Sequence, residues 1–364
     1  MVEFNNAYVF ISLVSSIVTL LFSFCLLACL VPPEPEFKNY RLSRKLLACA
    51  YIILSIGGIY EYFASQAPSD ITHLTHITTL IVASLQAFLF SFSIITLIDI
   101  RFITIKRILS HFIPIVIFAV ILMYSLSRPR EMNFTGLLVF GLCCYVIQLS
   151  YYIWLFNCEY KKYRIQLDNF FSGDEERRML WVRKVFYLSL SIGILIIASL
   201  FMNTYYYSIF EVAYTLFYVY FAVKYINYIP TFRSLLPAIN LNEESGKKNM
   251  FDTSELEEKI TQWVAEKRFI QNGITLEMLS VELGTNHSYL SRYINTGKNQ
   301  NFKVWISSLR IKESKRLLIE KPNVPIASIA EEVGIGGKGS FFRQFMNITG
   351  MTPGEYREKM LKQS

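Results

Sequence analysis

Residues 325–357, PIASIAEEVGIGGKGSFFRQFMNITGMTPGEYR, decide the fold of the C-terminal third of the chain. Apolar residues at helical spacing precede Gly334, and Pro325 stands where a helix starts well. Glycine permits the positive φ of a tight turn, so Gly334 predicts a turn between two helices. In the second helix Phe341 and Phe345 face inward, and Thr352-Pro353 opens a closing helix.

The same plan occurs once earlier in the chain. A helix is predicted from Thr275, a turn at Gly284, and a second helix from about Asn286 with Leu290 and Ile294 facing inward. A long amphipathic helix over about 302–319 joins the two units. An additional helix with an apolar stripe is predicted ahead of them, from the cap candidates at 252–254 to about 269. The sequence therefore predicts two helix-turn-helix units in tandem, in which the second helix of each unit is offered to the DNA major groove.

Residues 252–364 resemble the DNA-binding domain of the AraC/XylS family of bacterial transcriptional regulators. The resemblance covers about the last third of the chain. The residues that carry it are Leu290-Ser291-Arg292, Phe302, Trp305-Ile306, Arg310-Ile311, Ile329-Ala330-Glu331-Glu332-Val333-Gly334, Phe341, Phe345 and the run from Gly350 to Arg357. Two such units, a linker helix and the final Gly-x-Thr-Pro-x-x-Tyr-Arg run make the match specific. No resemblance is apparent for the preceding two thirds.

Two features depart from the family pattern. Ile335 stands where the family usually has Phe, which keeps the position apolar. Gly336, Gly337 and Gly339 cluster at the start of the second recognition helix, and each glycine inside a helix costs about 1 kcal/mol of helix stability. We therefore expect this helix to start late or to become ordered only on DNA, with reduced base readout there.

The family's DNA-facing positions map onto seven residues. In the first unit they are His287, Ser288, Ser291 and Arg292, and in the second Lys338, Phe342 and Arg343. Arg292 and Arg343 are candidates for bidentate pairing with guanine, and Phe342, which this register leaves exposed, for contact with a thymine methyl.

Three further residues are predicted phosphate contacts: Asn295, Lys298 and Lys303. Thirteen Lys and Arg against eight Asp and Glu in residues 274–364 suit phosphate attraction. Two recognition helices on one linker helix predict a double-stranded DNA partner with two adjacent major-groove half-sites about 10 bp apart.

The first 229 residues have a different composition. A helix that crosses a bilayer needs about 20 apolar residues, because the hydrocarbon layer is about 30 Å thick. Seven stretches qualify, at about 8–31, 45–65, 77–98, 108–126, 134–156, 184–203 and 207–229. The fold class predicted for the whole chain is therefore all-α, a seven-helix transmembrane bundle (1–229) followed by a cytoplasmic double helix-turn-helix domain (253–364).

Basic residues in the loops predict the orientation of the spans. With the N-terminus outside, loops 32–45, 99–107 and 157–184 are cytoplasmic and carry fourteen Lys and Arg, against only Arg128 and Arg130 on the external side. This asymmetry follows the positive-inside rule. The predicted protein is therefore a multi-pass protein of the bacterial inner membrane with its C-terminal domain in the cytoplasm. This is the side on which a DNA-binding domain can reach the chromosome. Residues 230–252 are polar, contain Pro and Gly, and predict a flexible linker.

Few polar residues within the spans are candidates for a site. Glu61 and Glu211 interrupt apolar runs; an intramembrane carboxylate is costly, so both are candidates for signal sensing, with solvation or bonding by nearby tyrosines as the alternative. His73 and His76, with Asp70, are too few ligands to predict a metal site. The six cysteines lie in or beside apolar runs and predict neither a disulfide framework nor a metal site. No cofactor is expected.

The leading interpretation is a membrane-embedded one-component transcription factor rather than an enzyme. Its expected partners are promoter DNA, the lipid bilayer, an unknown signal ligand or protein, a second copy of the chain and, for an activator, RNA polymerase. One alternative is a transporter or membrane enzyme with a regulatory DNA-binding tail, although no nucleotide loop or His-Glu-x-x-His motif is present. Another is that the spans only tether the factor.

Overall fold

The computed structural model describes residues 2–64, 72–127, 134–173, 176–199, 204–240 and 253–363. The regular elements among these residues are all helices, with no β-strand, which confirms the all-α prediction. Contacts divide the chain into two compact units. Unit 1 comprises residues 1–162 and 180–234, and unit 2 comprises residues 163–179 and 235–364.

Seven helices in the described part of the chain are long and apolar enough to cross a membrane, which agrees with the predicted count. Most of them extend beyond the predicted spans. They are α1 Val2–Ala28, α2 Lys38–Ala64, α3 Thr72–Ile98, α4 Ile105–Ser127, α5 Phe134–Phe170, α6 Glu176–Ser199 and α7 Thr204–Ile226.

Buried tyrosines hold the helices of unit 1 together. The Tyr40 hydroxyl donates to the carbonyl of Tyr225 at 2.5 Å, and the Tyr51 hydroxyl donates to the carbonyl of Tyr218 at 2.6 Å. Both bonds join α2 to α7 and leave the donor satisfied away from water. The abundance of aromatic residues in this part of the sequence therefore has a packing role.

Helix α4 presents an apolar face that the other described residues do not cover. Phe112, Ile117 and Val120 are 42%, 54% and 63% exposed. A continuous apolar face of this kind is unfavourable in water and favourable in lipid. Pro114 lies inside α4 without ending it, and membrane helices tolerate proline because neighbouring groups satisfy the freed backbone carbonyl.

The predicted linker is partly wrong. Residues Ile229–Asn240 form helix α8, with Pro237 inside it, whereas the sequence predicts a flexible segment from 230. The physical reason is an apolar stripe, because Phe232, Leu235 and Leu236 are all buried. Within unit 1 the Phe232 ring packs 5.9 Å from that of Phe37. The remaining linker residues, 241–252, lie outside the described residues.

Unit 2 contains the predicted helices of the C-terminal domain. They are α9 Thr253–Ala265, α10 Leu276–Glu282, α11 His287–Arg292, α12 Phe302–Glu320, α13 Ile326–Glu332, α14 Lys338–Thr349 and α15 Pro353–Leu361. In the first helix-turn-helix region the Trp263 and Trp305 rings stack at 5.9 Å. The second has its own core, in which Ile329, Phe341 and Phe345 are fully buried. Helix α12 contributes to both regions, as the linker-helix prediction requires.

Unit 2 also includes residues that the sequence assigns to the membrane part and its loops. The last turns of α5 bury Tyr163, Leu167 and Phe170 at i, i+4 and i+7. Phe171 then forms an isolated antiparallel bridge with Thr275. The Ser172 hydroxyl donates to the carbonyl of Ile274 at 2.7 Å. The predicted single boundary near residue 230 is therefore incomplete, since residues 163–179 pack as part of the C-terminal unit.

Candidate DNA interface

The first helix-turn-helix unit is shaped by two polar caps and one glycine. Thr275 caps α10 by accepting from the Met278 amide, and Asn286 caps α11 by accepting from the Tyr289 amide at 2.7 Å. These bonds satisfy amides that have no partner inside the helix. Gly284 between the helices has a φ of +67°, as the turn prediction requires.

The residues predicted to meet DNA in this unit lie on one accessible side of α11. His287, Ser288 and Ser291 are half-buried, while Arg292 is exposed and its guanidinium lies 5.7 Å from the centre of the Tyr289 ring. The inward positions Leu290 and Ile294 are 0% and 1% exposed, as predicted. Arg292 therefore extends from a helix that its neighbours fix firmly in the core.

The predicted phosphate contacts differ in their surroundings. Asn295 and Lys298 are exposed and belong to a π-helical turn, Tyr293–Gly297, and to the residue after it. The Asn295 amide donates to the Ser291 hydroxyl at 3.3 Å. The Lys298 ammonium lies 3.6 Å from the Glu257 carboxylate, which is a weak, solvated pair. Both side chains can turn toward a phosphate at little cost.

Lys303 is held more firmly than the sequence suggests. Its ammonium donates to the Asp168 carboxylate at 2.9 Å, and the two side chains are 18% and 19% exposed. Asp168 lies in the last turns of α5. In the sequence Asp168 lies within a basic segment, 135 positions from Lys303, and no local pattern pairs the two residues. A phosphate contact by Lys303 remains a prediction, and it requires the Asp168 pair to open.

The second helix-turn-helix unit has its turn at Gly334, whose φ is +76°. A Cβ atom at this position would lie 1.9 Å from the carbonyl oxygen of Ile270, so no other residue fits without movement of the backbone. Helix α14 begins at Lys338, with Gly337 at its N-cap in a positive φ of 90°. Of the three clustered glycines, Gly336 and Gly337 therefore precede the helix, which confirms the predicted late start.

The predicted DNA-facing residues of the second helix-turn-helix unit differ in how far solvent reaches their side chains. Lys338 and Arg343 are exposed on α14. The expectation that Phe342 is exposed is wrong: this ring is half-buried and packs against the second core. Its position one residue after Phe341 brings its ring edge to the core, and the Lys338 ammonium lies 5.8 Å from its centre. Contact with a thymine methyl remains a prediction for the part of the ring that is accessible.

Two arginines each hold a loop of the C-terminal domain through backbone carbonyls, a role that the sequence-based predictions omit. Arg310 is buried and Arg357 is half-buried. Arg310 of α12 donates to the carbonyls of Phe269 and Gln271 at 2.8 and 2.7 Å. Burial lowers the pKa of Arg310 to about 10, so the group stays protonated at neutral pH. Arg357 donates to the carbonyls of Pro322 and Val324 at 3.0 and 2.8 Å. An arginine among buried apolar positions of a helix is the signal that could have indicated this role.

The candidate residues of the spans lie together. Glu61 and Glu211 line one cavity in unit 1, and the Tyr207 hydroxyl donates to the Glu61 carboxylate at 3.2 Å. Asp70 and the side chain of His73 lie outside the described residues.

Two helix-turn-helix units joined by α12, each with an arginine exposed on its second helix, define a double helix-turn-helix DNA-binding domain. Residues 279–359 match the family model described as a helix-turn-helix domain. Over 82 residues the chain is 30% identical to the Msm operon regulatory protein of Streptococcus mutans, which covers 22% of this chain and 29% of that protein. Over 75 residues it is 28% identical to the uncharacterized transcriptional regulatory protein YesN of Bacillus subtilis, with 20% of each covered.

A solved structure, the C-terminal domain of AraT, a response regulator from Geobacillus stearothermophilus, is 27% identical. The match covers 30% of this chain and 88% of that one, with a TM-score of 0.27. The chain spans less than a third of the length of the curated relatives it matches. The C-terminal segment of this chain is an AraC-type helix-turn-helix domain of the kind found in transcriptional regulators.

Proposed function

We propose that this chain is a membrane-embedded one-component transcription factor that acts by binding promoter DNA and not by catalysis. The observation that carries the proposal is the placement of Arg292 on α11 and Arg343 on α14, exposed on helices whose opposite faces are buried. Arginine in this position of a recognition helix pairs with the O6 and N7 atoms of guanine. The two helices then read successive major grooves of one DNA duplex, with half-sites about 10 bp apart.

Residues around the two arginines complete the DNA contacts. We propose base or sugar contacts for His287, Ser288, Ser291, Lys338 and Phe342, and phosphate contacts for Asn295, Lys298 and Lys303. Phosphate contacts position the protein, whereas base contacts select the sequence. In this proposal Asn295, Lys298 and Lys303 position the protein, and the solvent-facing side of each second helix selects the sequence.

In this proposal residues 1–229 anchor the protein in the bacterial inner membrane. Seven apolar helices and the uncovered apolar face of α4 support insertion in the inner membrane. Basic residues are in excess where α1 meets α2, α3 meets α4 and α5 meets α6, and most of them lie within the adjoining ends of those helices. This excess supports a cytoplasmic C-terminus. In this orientation the N-terminus is external.

The spans also sense a signal in this proposal. The supporting observation is that α5, one of the apolar helices, also supplies Asp168 to the first helix-turn-helix region. A rearrangement of α5 would change how Lys303 and the start of α10 are held, and so change DNA affinity. A second copy of the chain bound to paired sites would raise the effective concentration of each domain. For an activator, RNA polymerase is the further partner.

Two measurements test the proposal. Full-length protein in lipid nanodiscs should select a DNA sequence with two half-sites from a random pool. Arg292→Ala and Arg343→Ala should each relax the selection at one half-site, while Lys259→Ala, which removes an equal charge from α9, should leave it intact. No sequence selection by the intact protein would refute the proposed function.

The second measurement addresses orientation and sensing in cells. A cysteine added at the C-terminus should be unreactive to a membrane-impermeant label until the cells are opened. Replacement of residues 1–229 by an unrelated anchor should keep DNA binding but remove its response to external conditions. A response that survives this exchange would reduce the spans to a tether. Accumulation of a solute by proteoliposomes would favour the transporter alternative.

A further inference from the structure

Unit 1 contains a cavity of about 400 Å³ between α2, α3, α6 and α7. This volume is in the range of sites that hold small organic molecules. It lies toward the ends where α2 and α6 finish and α3 and α7 begin, because Glu61, Thr75, Ser199 and Tyr207 all line it. In the orientation proposed above, this is the external side of the membrane.

Polar atoms in the cavity lack partners. Glu211 is 4% exposed, and its Oε2 atom has no hydrogen-bond partner of normal geometry among the described residues; the Ser12 hydroxyl neighbours this carboxyl group and is likewise without such a partner. Gln86 is 5% exposed; its Nε2 donates to the carbonyl of Ala50 at 2.6 Å, while its Oε1 has no donor among the same residues. The buried Tyr60 hydroxyl is likewise without a described partner. Buried acceptors of this kind are costly, and native proteins nearly always satisfy them.

The chemistry of the lining specifies what would satisfy them. The charged lining residues are two carboxylates, Glu61 and Glu211, and the described lining contains no Lys, Arg or His. The two most deeply buried orphan atoms, on Glu211 and Gln86, are acceptors, so the missing group is a donor. A donor with positive charge also offsets the cost of a carboxylate placed away from water.

The rest of the wall is apolar and aromatic. Val82, Ile196 and Phe210 line the cavity together with the faces or edges of Tyr214 and Tyr218. Aromatic rings attract cations, and the aliphatic side chains favour an apolar body. Such a wall suits neither a metal ion, which requires several oxygen ligands, nor a strongly hydrated polyamine.

We propose that this cavity binds a lipophilic amine in its protonated form. The ammonium group donates a hydrogen bond to Glu211 Oε2. Gln86 Oε1 and the Tyr60 hydroxyl are further hydrogen-bonding partners in the same cavity. The apolar body of the ligand packs on Val82, Ile196 and Phe210. A primary amine fits best, because the orphan atoms require N–H donors that a quaternary ammonium lacks. The role of this ligand as the sensed signal rests on the proposed function, whereas its binding does not.

The test uses full-length protein in nanodiscs of phosphatidylcholine, with radiolabelled phenylbutylamine as the probe and empty nanodiscs to subtract partition into lipid. Binding should saturate at one molecule per chain. Unlabelled phenylbutylamine should displace the probe about tenfold better than phenylbutanol, which has no charge, or the phenylbutyl-trimethylammonium ion, which has no N–H. Equal displacement by either analogue, or no saturable binding, would overturn the proposal.

Variants then locate the site. Glu211→Gln should weaken binding about tenfold or more and abolish the preference for the amine over the alcohol. Glu159→Gln is the matched control, because Glu159 is also a buried carboxylate but pairs with Lys162 and does not line the cavity. Gln86→Met is the second variant and should weaken amine binding with little effect on the alcohol. Unchanged amine binding in both Glu211→Gln and Gln86→Met would place the ligand elsewhere.

The same particles separate this proposal from the proposed function. Sequence-selective DNA binding is measured on each variant before the amine is added, which also shows that the C-terminal domain of the variant is folded. Amine binding without any DNA selection would preserve the cavity assignment and refute the transcription factor. DNA selection without amine binding would refute the cavity assignment and preserve the proposed transcription factor. A shift in DNA affinity upon addition of phenylbutylamine that Glu211→Gln abolishes would join the two.

Discussion

The Lys303 ammonium lies 2.9 Å from the Asp168 carboxylate, and this ion pair ties the last turns of α5 to the first turn of α12. Nearby, the Ser172 amide and hydroxyl both donate to the carbonyl of Ile274, immediately before the cap of α10. Residues 163–172 therefore hold the first helix-turn-helix region through one charged contact and a short backbone contact. The ion pair competes with any contact of Lys303 with DNA.

We expect Asp168→Asn to strengthen DNA binding by the full-length protein, because Lys303 becomes available to a phosphate. One additional phosphate contact should make the slope of log K against log salt steeper by about 0.9. The measurement is a salt titration of DNA affinity in nanodiscs. The double variant Asp168→Asn with Lys303→Ala should lose the gain, and a gain that persists without Lys303 would assign the effect to another residue.

Arg343→Ala should cost about 1–3 kcal/mol of DNA binding free energy and relax the preference at one half-site, since a bidentate contact to guanine is lost. Lys298→Ala should weaken binding on all sequences alike, because a phosphate carries no sequence information. Affinities for the selected site and for single-base variants of it distinguish the two. An equal loss on every sequence for Arg343→Ala would reassign this residue to phosphate positioning.

Gly334→Ala should destabilise the second helix-turn-helix unit severely. The new Cβ would overlap the carbonyl of Ile270. The alanine would also have to adopt the positive φ of this position, which is unfavourable for a residue with a Cβ atom. The matched control is Gly284→Ala, where φ is also positive but no atom lies within 4 Å of the added Cβ, so only the backbone cost of about 1–2 kcal/mol remains. Hydrogen exchange of α13 and α14 should show a large loss of protection in Gly334→Ala, and exchange of α10 and α11 a small one in Gly284→Ala. Equal effects would contradict the steric argument.

We expect the folding stability of the C-terminal domain to depend on pH through the Glu313 carboxylate. Its hydrogen bonds from Arg316 at 2.6 Å and Lys267 at 2.8 Å hold its pKa below the ordinary value for glutamate. A lowered folded-state pKa means that the unfolded chain binds the proton more readily. The resulting stability is fully present above the ordinary pKa and is lost as pH falls through the lowered one.

Glu313→Gln should therefore reduce the stability of the contact between α12 and residues 267–270 at pH 7, by about 0.5 kcal/mol for a pair of this exposure. The difference from the unmodified protein should vanish in acid. Hydrogen exchange of α12, compared between the two proteins at each pH, checks this. Glu320→Gln, which removes an exposed partner of the same Arg316, is the control and should have a smaller effect. A difference that grows in acid would contradict the sign.

The sequence by itself determined the order and type of most of the elements. Apolar runs of bilayer length specify seven helices, because their number depends only on composition along the chain. The positions of Gly284 and Gly334 specify two turns, because few residues other than glycine adopt a positive φ easily. Periodicity also identified Leu290, Ile294, Phe341 and Phe345 as core residues, since one helix face repeats every three to four positions.

Only the tertiary structure decided which distant residues meet. The partner of Lys303 is Asp168, which lies 135 positions away, and no local pattern identifies it. The half-burial of Phe342 depends on how α14 packs on its core. The helix over 229–240 depends on burial of Phe232 and its neighbours, which overrides a local sequence that contains two prolines. Periodicity reports which face of a helix is buried, whereas pairing and cavities depend on packing between helices, and this is where Glu61 and Glu211 come to share one site.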